Sequence, residues 1–250
     1  MNQHINSLFI GRNRIHLDST LSTNSSLLDL SQQSELPEGT VLITDEQKAG
    51  RGQGGNSWFS EAKQNLTCSI LLRPKFLSAS EQFSLNVLAS LSIQDLCCHY
   101  GISAQVKWPN DVICQQGKLS GVLIQSKLQG NSIAQAILGI GLNINQLRFP
   151  DGVFASSLAL ELGEELDLKE IEAKLYIFLE QRYLKMKKDK HVFFHQYCDE
   201  TGLMGEDVPV VMDGEQKEVT VLNLNKDGSL LIKEKGEKMR TLTHPQIRLA

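Results

Sequence analysis

Residues 50–58 read GRGQGGNSW, so four glycines surround Arg51 and a tryptophan, Trp58, ends the run. Glycine loses more backbone entropy on folding than any other residue, and a dense glycine run therefore makes a poor helix or strand. Such a run is more often found where backbone approaches a ligand closely or where a loop moves. The forked guanidinium of Arg51 suits a carboxylate or a phosphate, and Trp58 offers a flat face to a ring. The run predicts a mobile loop that binds an anion.

The same run matches two phosphate-binding motifs by letter. Gly50, Gly52 and Gly55 have the GxGxxG spacing of dinucleotide-binding folds, but that motif must open a helix in a βαβ unit, and no helical pattern follows. The interval from Gly50 to Gly55 also resembles the start of a Walker A loop, but Asn56 and Ser57 stand where Lys and Ser or Thr are required. A purely structural glycine loop stays an alternative, and a ligand-covering loop is the favoured interpretation.

A second cluster, KWPND, occupies residues 107–111. Pro109 favours extended backbone at Trp108, and Asn110 and Asp111 then leave the strand end together. Pro-Asn-Asp is also ordinary turn chemistry, so alone this cluster is more simply structural. A lysine, an aromatic ring and a carboxylate beside a glycine loop nevertheless favour a nucleotide site.

Two further candidates lie on predicted strands. Lys118 begins the apolar run GKLSGVLI at 117–124, where a solvated lysine at a strand end is the plain alternative. Gly139 and Gly141 lie inside the run GIGLNIN at 139–145. Glycines inside a strand mark a bulge or the close approach of another backbone or a ligand.

The cysteine and histidine pattern indicates neither a disulfide framework nor a metal centre. The chain has five cysteines, an odd number, and none forms a CxxC pair, which favours reduced thiols. His191, His195 and Cys198 have helical metal-ligand spacing, but no further ligand lies near them in sequence. A surface or packed helix is the favoured interpretation of these three residues.

The composition indicates a globular protein whose main partner is not nucleic acid. Hydrophobic residues make up 41% and charged residues 22% of the chain, which is ordinary for a globular domain. The formal net charge is −4, whereas neutralising nucleic-acid phosphates needs a basic field. The N-terminus resembles neither a secretory signal nor an anchor, and no run approaches the ~20 apolar residues of a membrane helix. We expect a cytoplasmic protein that binds neither DNA nor a membrane.

Periodicity places these candidates on an α+β framework. Strands are expected at 41–44, 66–72, 106–108, 112–114, 118–126 and 133–144, and helices at 25–34, 80–99, 167–187 and 191–200. Short strands at 208–212, 219–222, 230–233 and 240–243, with Asp-Gly turns at 213–214 and 227–228, predict a small barrel. We therefore expect one domain at 1–201 and a second at 202–250.

Taken in chain order, the candidate motifs resemble those of the biotin protein ligases (biotin–[acetyl-CoA-carboxylase] ligases). The motifs are STN at 22–24, residues 47–58, KWPND, GKLSGVLI and GIGLN at 139–143. The resemblance covers nearly the whole chain and implies a mixed sheet flanked by helices, followed by an SH3-like barrel. Larger members carry an N-terminal DNA-binding domain. Because few residues precede Ser22, the resemblance implies the monofunctional type without that domain.

The resemblance implies a two-step reaction. ATP activates biotin as biotinyl-5′-AMP, with Mg²⁺ bridging phosphates, and a lysine of a biotin carboxyl carrier protein then accepts the biotinyl group. Matching the family motifs implies catalytic roles for Lys118, Arg51 and Asp111. Asp111 is also a candidate for orienting metal-bound phosphate or deprotonating the acceptor lysine. Biotin contacts are implied for Ser22, Thr23, Asn24, Gln47, Gly50, Arg51, Gly52, Gln53, Lys118, Gly121 and Gly141. Nucleotide contacts are implied for Arg51, Gln53, Trp58, Lys107, Asn110, Asp111 and Asn143. Some members of the family dimerise through a sheet edge, which leaves a homodimer open.

One departure from the family pattern lies within the glycine run. Many members read GRGRRGRxW, whereas Gln53 and Gly54 replace the second and third arginines and Asn56 replaces a further basic residue. Charge-assisted hydrogen bonds are about twice as strong as neutral ones. Their loss, together with the added glycine, predicts a looser cover over the adenylate.

Two other functions remain as alternatives. A lipoate- or octanoate-type protein ligase shares the fold family, although the glycine-arginine run and KWPND argue against it. A non-catalytic module that binds biotin or a nucleotide is the other alternative. The presence of Arg51, Lys107 and Lys118 opposes that second alternative.

Overall fold

Most of the apolar runs form strands of a mixed sheet in the computed structural model, which describes residues 7–234, 236 and 238–249. In chain order the strands are β1 (Arg14–Thr20), β2 (Val41–Gln47), β3 (Gly50–Arg51), β4 (Ser57–Trp58), β5 (Leu66–Leu72), β6 (Gln105–Lys107), β7 (Asp111–Cys114), β8 (Gly117–Gln129), β9 (Ser132–Leu142), β10 (Asp207–Met212), β11 (Glu215–Leu224), β12 (Leu230–Glu234), β13 (Met239–Leu242) and β14 (Ile247–Leu249). The helices are α1 (Thr23–Gln33), α2 (Phe83–His99), α3 (Leu158–Leu162), α4 (Leu168–Met186) and α5 (Phe194–Thr201).

Seven strands form the main sheet, in the order β1-β2-β5-β9-β8-β7-β6. β1 and β2 run parallel, and the other neighbouring pairs of this sheet are antiparallel. β8 and β9 form a long hairpin, which pairs Ser120 with Leu142 at one end and Gln129 with Ser132 at the other. β5 lies beside β9 and is buried along its whole length.

Alternation along the inner strands supplies the sheet with two apolar faces, because successive side chains of a strand point to opposite sides. Leu71 of β5 and Ile137 of β9 pack with Leu27 of α1 on one face. Their neighbours Ile70 and Leu138 belong to the larger core on the other face, which α2 and α4 cover. α1 therefore lies on one side of the sheet and the two long helices lie on the other.

The last five strands form a second, antiparallel sheet in the order β13-β12-β11-β10-β14. Its inner side chains share a core with Phe83 and Leu91 of α2, with Tyr197 of α5 and with Trp108, which follows β6. The C-terminal sheet is thus packed against the first part of the chain. α5 ends at Thr201, and its C-cap, Gly202, has a left-handed backbone (φ 59°) and begins the connection to β10.

The expected α+β class is confirmed, with its mixed sheet, flanking helices and C-terminal β-structure. The division into domains at 1–201 and 202–250 stays a prediction, and residues 1–6, 235, 237 and 250 lie outside the described residues. α1 begins within the STN motif: Ser22 occupies the N-cap position with extended backbone but makes no capping hydrogen bond through its side chain.

Several elements differ from the expectation. β1, the β3–β4 hairpin and β14 are strands that the sequence did not predict. β1 is an edge strand whose residues are half-buried or exposed, so no apolar run marks it. α2 begins at Phe83 and not near residue 80, because a 3-10 turn at Ala79–Glu81 precedes it, closed by a capping box between Ser78 and Glu81.

All five cysteines are free thiols. Among the described residues, no helix combines the length and the apolar character that crossing a membrane would require.

Candidate active site

A cavity of about 210 Å³ lies between the main sheet, the β3–β4 hairpin and the C-terminal sheet. Most residues that the sequence assigned to a site line it. These are Ser22, Thr23, Asn24, Gln47, Arg51, Gly52, Gln53, Trp58, Lys107, Asn110, Asp111, Lys118, Gly121 and Gly141. Segments far apart in sequence therefore meet at one place.

A buried polar cluster forms one wall of the cavity at the start of α1. The side-chain oxygen of Gln47 accepts hydrogen bonds from the Thr23 amide at 2.9 Å and from its hydroxyl at 3.3 Å. Ser69 donates to Asn24 Oδ1 at 2.6 Å and lies 2.8 Å from Thr23 Oγ1. Asn24 Nδ2 donates to the carbonyl of Leu123 at 3.1 Å. Fixed donors and acceptors of this kind suit a ligand head group that both donates and accepts hydrogen bonds.

Three glycines of β8 and β9 form the floor of the cavity. A Cβ on Gly139 would lie 2.2 Å from Asn24 Oδ1, and a Cβ on Gly141 would lie 2.3 Å from Trp58 Cε2. A Cβ on Gly121 would lie 3.1 Å from another atom of the same indole. The floor is therefore glycine because side chains from α1 and the hairpin approach its backbone. The indole faces this floor here, and its stacking on a nucleotide base stays a prediction.

Lys118 projects into the cavity from the start of β8. Its Nζ lies 2.7 Å from Asp111 Oδ1 and 5.4 Å from the centroid of the Trp58 ring. Its backbone is held on both sides: its amide donates to the carbonyl of Phe154 at 3.1 Å, and its carbonyl accepts from Asn143 Nδ2 at 3.2 Å. The lysine is thus a fixed cation beside a carboxylate and an aromatic face.

The WPND segment is anchored both by the main sheet and by elements outside it. Trp108 Nε1 donates to the carbonyl of Gly228 at 3.0 Å, and the hydroxyl of Tyr197 donates to the carbonyl of Pro109 at 2.7 Å. The side-chain amide of Asn110 donates to a carbonyl of β8. Contacts from α5, the C-terminal sheet and β8 therefore fix the loop that presents Asp111.

Two predicted site residues do not line the cavity. Gly50 pairs with Trp58 in the hairpin, and a Cβ on it would lie 2.3 Å from the Trp58 carbonyl oxygen. Asn143 is buried behind Lys118 and also donates to the carbonyl of Ser156 at 3.0 Å. Among the described residues, its Oδ1 has no hydrogen-bond partner. Both residues support the wall, and their direct contacts with a ligand stay predictions.

The cavity is basic although the whole chain is acidic. Arg51, Lys107, Lys118 and Arg248 line it, and Asp111 is the one carboxylate among its described lining residues. Within the described part of the chain, the side chains of Arg51, Lys107 and Arg248 have no hydrogen-bond or ion-pair partner. Unpaired cations around a concave site attract anionic ligands, and phosphates and carboxylates fit this charge.

Sequence reasoning missed several residues of this region. Ser69 supports the polar cluster from β5, and its signal was a hydroxyl within an apolar strand. His244 and Arg248 reach the cavity from the C-terminal sheet, and no local pattern links them to it. Burial and nearby Arg248 lower the pKa of His244, against an opposing effect of Asp111.

The described residues contain no cluster of three or more His, Cys, Asp or Glu side chains that could hold a metal. His191 lies 3.3 Å from Glu81, and His195 lies 3.0 Å from Asp199. Because Asp111 is the carboxylate of the cavity wall, a divalent ion there would be held mainly by ligand oxygens and water.

Comparison with known proteins links the cavity to one family. The model of the biotin/lipoate A/B protein ligase family matches residues 17–143. The chain is 31% identical over 179 residues to the bifunctional ligase/repressor BirA of Bacillus spizizenii, a match covering 70% of this chain and 54% of that protein. It is 30% identical over 209 residues to the biotin–[acetyl-CoA-carboxylase] ligase of Mycobacterium tuberculosis, covering 81% and 76%. The chain thus spans about half the length of the BirA relative.

A solved structure extends the similarity over the whole fold. The biotin protein ligase from Aquifex aeolicus in complex with biotin and ATP has a TM-score of 0.77 and 27% sequence identity. The match covers 96% of this chain and 100% of that one. Both the main sheet and most of the C-terminal strands therefore have counterparts in one known architecture.

Proposed function

Because the chain belongs to the biotin/lipoate A/B protein ligase family, we propose that it is an ATP-dependent biotin protein ligase. It would activate biotin as biotinyl-5′-AMP and transfer the biotinyl group to a lysine of a biotin carboxyl carrier protein. One observation carries this proposal: Lys118, paired with Asp111 at 2.7 Å, lies in the same cavity as the polar cluster and the unpaired cations. That arrangement suits two anionic substrates that must be brought together.

The polar cluster favours biotin over an acyl chain without a polar head. The ureido ring of biotin has two N–H donors and one carbonyl acceptor. Asn24, Thr23 and Gln47 present both kinds of group at fixed positions. The neighbouring glycines of the floor, Gly139 and Gly141, let Asn24 and Trp58 approach the strand backbone closely.

In the first step, a carboxylate oxygen of biotin attacks the α-phosphorus of ATP. The bond from that phosphorus to the bridging oxygen breaks, and pyrophosphate leaves with the electron pair. Lys118, held beside Trp58, neutralises charge between the carboxylate and the α-phosphate, while Arg51 and Lys107 contact phosphate oxygens. Fixed cations of this kind stabilise the charge that develops in the transition state.

In the second step, the amine of the acceptor lysine attacks the acyl carbon of biotinyl-5′-AMP. The acyl carbon–oxygen bond breaks, and AMP leaves with the electron pair. The amine must lose a proton, and Asp111 is the carboxylate on the cavity wall that can accept it. Mg²⁺ would be bound mainly by the phosphates of ATP, because Asp111 is the one carboxylate among the described residues that line the cavity.

Biotin-dependent release of pyrophosphate from ATP tests the first step directly. Lys118→Ala should still bind biotin but lose at least about 100-fold in the rate of release, the usual effect of removing a group that stabilises transition-state charge. Lys127→Ala is a matched control, because Lys127 is exposed on the same strand. Normal release by Lys118→Ala, or none by the wild type in the presence of bound biotin, would contradict the proposal. The second outcome would favour a non-catalytic binding module.

A trial of acyl donors separates the ligase from its nearest alternative. Biotin, lipoate and octanoate are offered with ATP and a carrier domain, and the modified lysine is identified by mass spectrometry. An octanoyl chain has no polar head that could form hydrogen bonds with the polar cluster. We therefore expect transfer of biotin alone. Transfer of lipoate or octanoate without biotin would assign the chain to the lipoate-type ligases.

A further inference from the structure

The tip of the β3–β4 hairpin meets the C-terminal sheet at His244. A Cβ built on Gly54 would lie 3.1 Å from His244 Cε1 and 3.7 Å from Pro245 Cβ. Those two residues belong to the connection between β13 and β14, which Gln246 stiffens by accepting from the Thr243 amide and hydroxyl, each at 3.0 Å. The hairpin tip therefore rests on a well-held segment.

Two buried polar atoms lie at this meeting point. Gln53 Oε1 on the hairpin and His244 Nδ1 on the C-terminal side are both inaccessible to solvent and lack a hydrogen-bond partner within the described residues. Buried polar atoms of folded proteins are normally paired. An amide oxygen accepts and an imidazole N–H donates, so each residue offers what the other lacks, although no hydrogen bond joins the two atoms in this structure.

The position of His244 also links the hairpin to the reacting groups. Its ring makes an edge contact with Trp108, with centroids 6.0 Å apart, next to the loop that carries Asp111. Burial lowers its pKa, which favours the neutral ring, and a neutral ring fits a neutral amide. Gln53, His244 and Trp108 line both the active-site cavity and a second cavity beside it.

We propose that His244 is a positioning residue: its ring and the Gln53 amide turn towards each other to form a hydrogen bond, and this pair holds the β3–β4 hairpin closed over the active-site cavity. The C-terminal sheet thereby controls how long the intermediate stays enclosed. The closure itself depends only on this chain, whereas its effect on biotinyl-5′-AMP rests on the proposed function. In this chain a neutral contact within the protein takes the place of an arginine in the hairpin.

Hydrogen exchange in the ligand-free protein tests the closure without any activity. The Gly52 amide, which donates to the Asn56 carbonyl at 2.6 Å, reports opening of the hairpin. His244→Ala should speed its exchange about fivefold, the factor expected for one hydrogen bond, and His244→Gln should restore most of the protection. His195→Ala is the control, because His195 is exposed on α5. Unchanged exchange in a folded His244→Ala protein would overturn the proposal.

A double-mutant cycle tests whether the two residues act together. Gln53→Ala should speed the same exchange, and adding His244→Ala to it should have little further effect. Additive effects would show that His244 does not act through Gln53 and would refute the pairing. Dissociation of biotinyl-5′-AMP from the four proteins should follow the same order. If no adenylate forms, the proposed function fails, while the exchange measurements still decide the closure.

Discussion

Substituting one floor glycine should weaken biotin binding through a single neighbour. Gly139 does not have a left-handed backbone, so its backbone conformation also suits alanine. The new Cβ, however, would lie 2.2 Å from Asn24 Oδ1, 2.8 Å from its Cγ and 3.0 Å from its Nδ2. Real Cβ atoms essentially never approach a heavy atom this closely. The Asn24 amide must therefore move away from its present position in Gly139→Ala.

The size of the effect follows from what that movement breaks. Asn24 would lose the hydrogen bond from Ser69 at 2.6 Å and the one to the Leu123 carbonyl at 3.1 Å. Each is worth about 1 kcal/mol. Holding the Asn24 amide in the position that meets biotin would therefore cost about 2 kcal/mol more than in the wild type. We expect the Kd of biotin to rise about 30-fold. Gly121→Ala should have a smaller effect, because a Cβ there would come no closer than 3.1 Å to Lys118 Nζ or to the Trp58 indole.

Calorimetric titration with biotin measures this change, with circular dichroism to show that the variants are folded. Asn24→Ala is the matched background, because it removes the amide with which the new methyl group collides. Gly139→Ala should cost little more in that background, giving strong non-additivity. The reasoning is refuted if the folded Gly139→Ala protein binds biotin within about twofold of the wild type, or if the two substitutions are additive.

Three other substitutions test separate parts of the structure. Gln53→Arg should slow dissociation of biotinyl-5′-AMP, because a charge-assisted contact to the adenylate phosphate outweighs the neutral contact to His244; an unchanged rate would show that the hairpin is not weakened by its missing arginines. Arg248→Ala should raise the KM for ATP about tenfold and leave the KM for biotin unchanged, as expected for one hydrogen bond to a charged group; equal changes in both would place Arg248 elsewhere. Glu81 tests a pH-dependent contribution to stability. Burial alone would raise the pKa of this carboxyl, but hydrogen bonds from Lys190 and Ser78 outweigh burial and lower it from 4.5 to about 2. Its contribution is therefore present above pH 4.5 and lost as the pH falls towards 2, so the Tm deficit of Glu81→Gln at pH 7 should vanish near pH 2.

The parts of the fold that the sequence predicted are those whose signal is local. The inner strands β5 and β9 are apolar along most of their length because both faces are covered, and α4 shows helical spacing. β1 escaped prediction because it lies at an edge, where its pairing with β2 and not its composition makes it a strand. The β3–β4 hairpin was equally hidden, since two-residue strands carry no periodicity.

The residues of the site also divide into those with a local sequence signal and those without one. Lys118, Asp111 and the STN segment belong to short motifs, so their meeting in one cavity was predictable. His244 and Arg248 were not, because the position of the C-terminal sheet over the cavity depends on a core shared with α2 and α5. Contacts between distant segments of this kind leave no trace in a single sequence.

The glycines around the cavity have two different physical causes, which predict different responses to alanine. Gly54 and Gly55 in the hairpin have φ of 66° and 87°, a left-handed backbone that L side chains rarely adopt. Their substitution should strain the hairpin whether or not a ligand is present. Gly139 and Gly141 have ordinary backbone but neighbours within 2.3 Å of a Cβ. Their substitution should act through Asn24 and Trp58, and therefore through the ligand. Gly54 and Gly55 of the hairpin are therefore required by backbone conformation, whereas Gly139 and Gly141 of the floor are required by the close approach of neighbouring side chains.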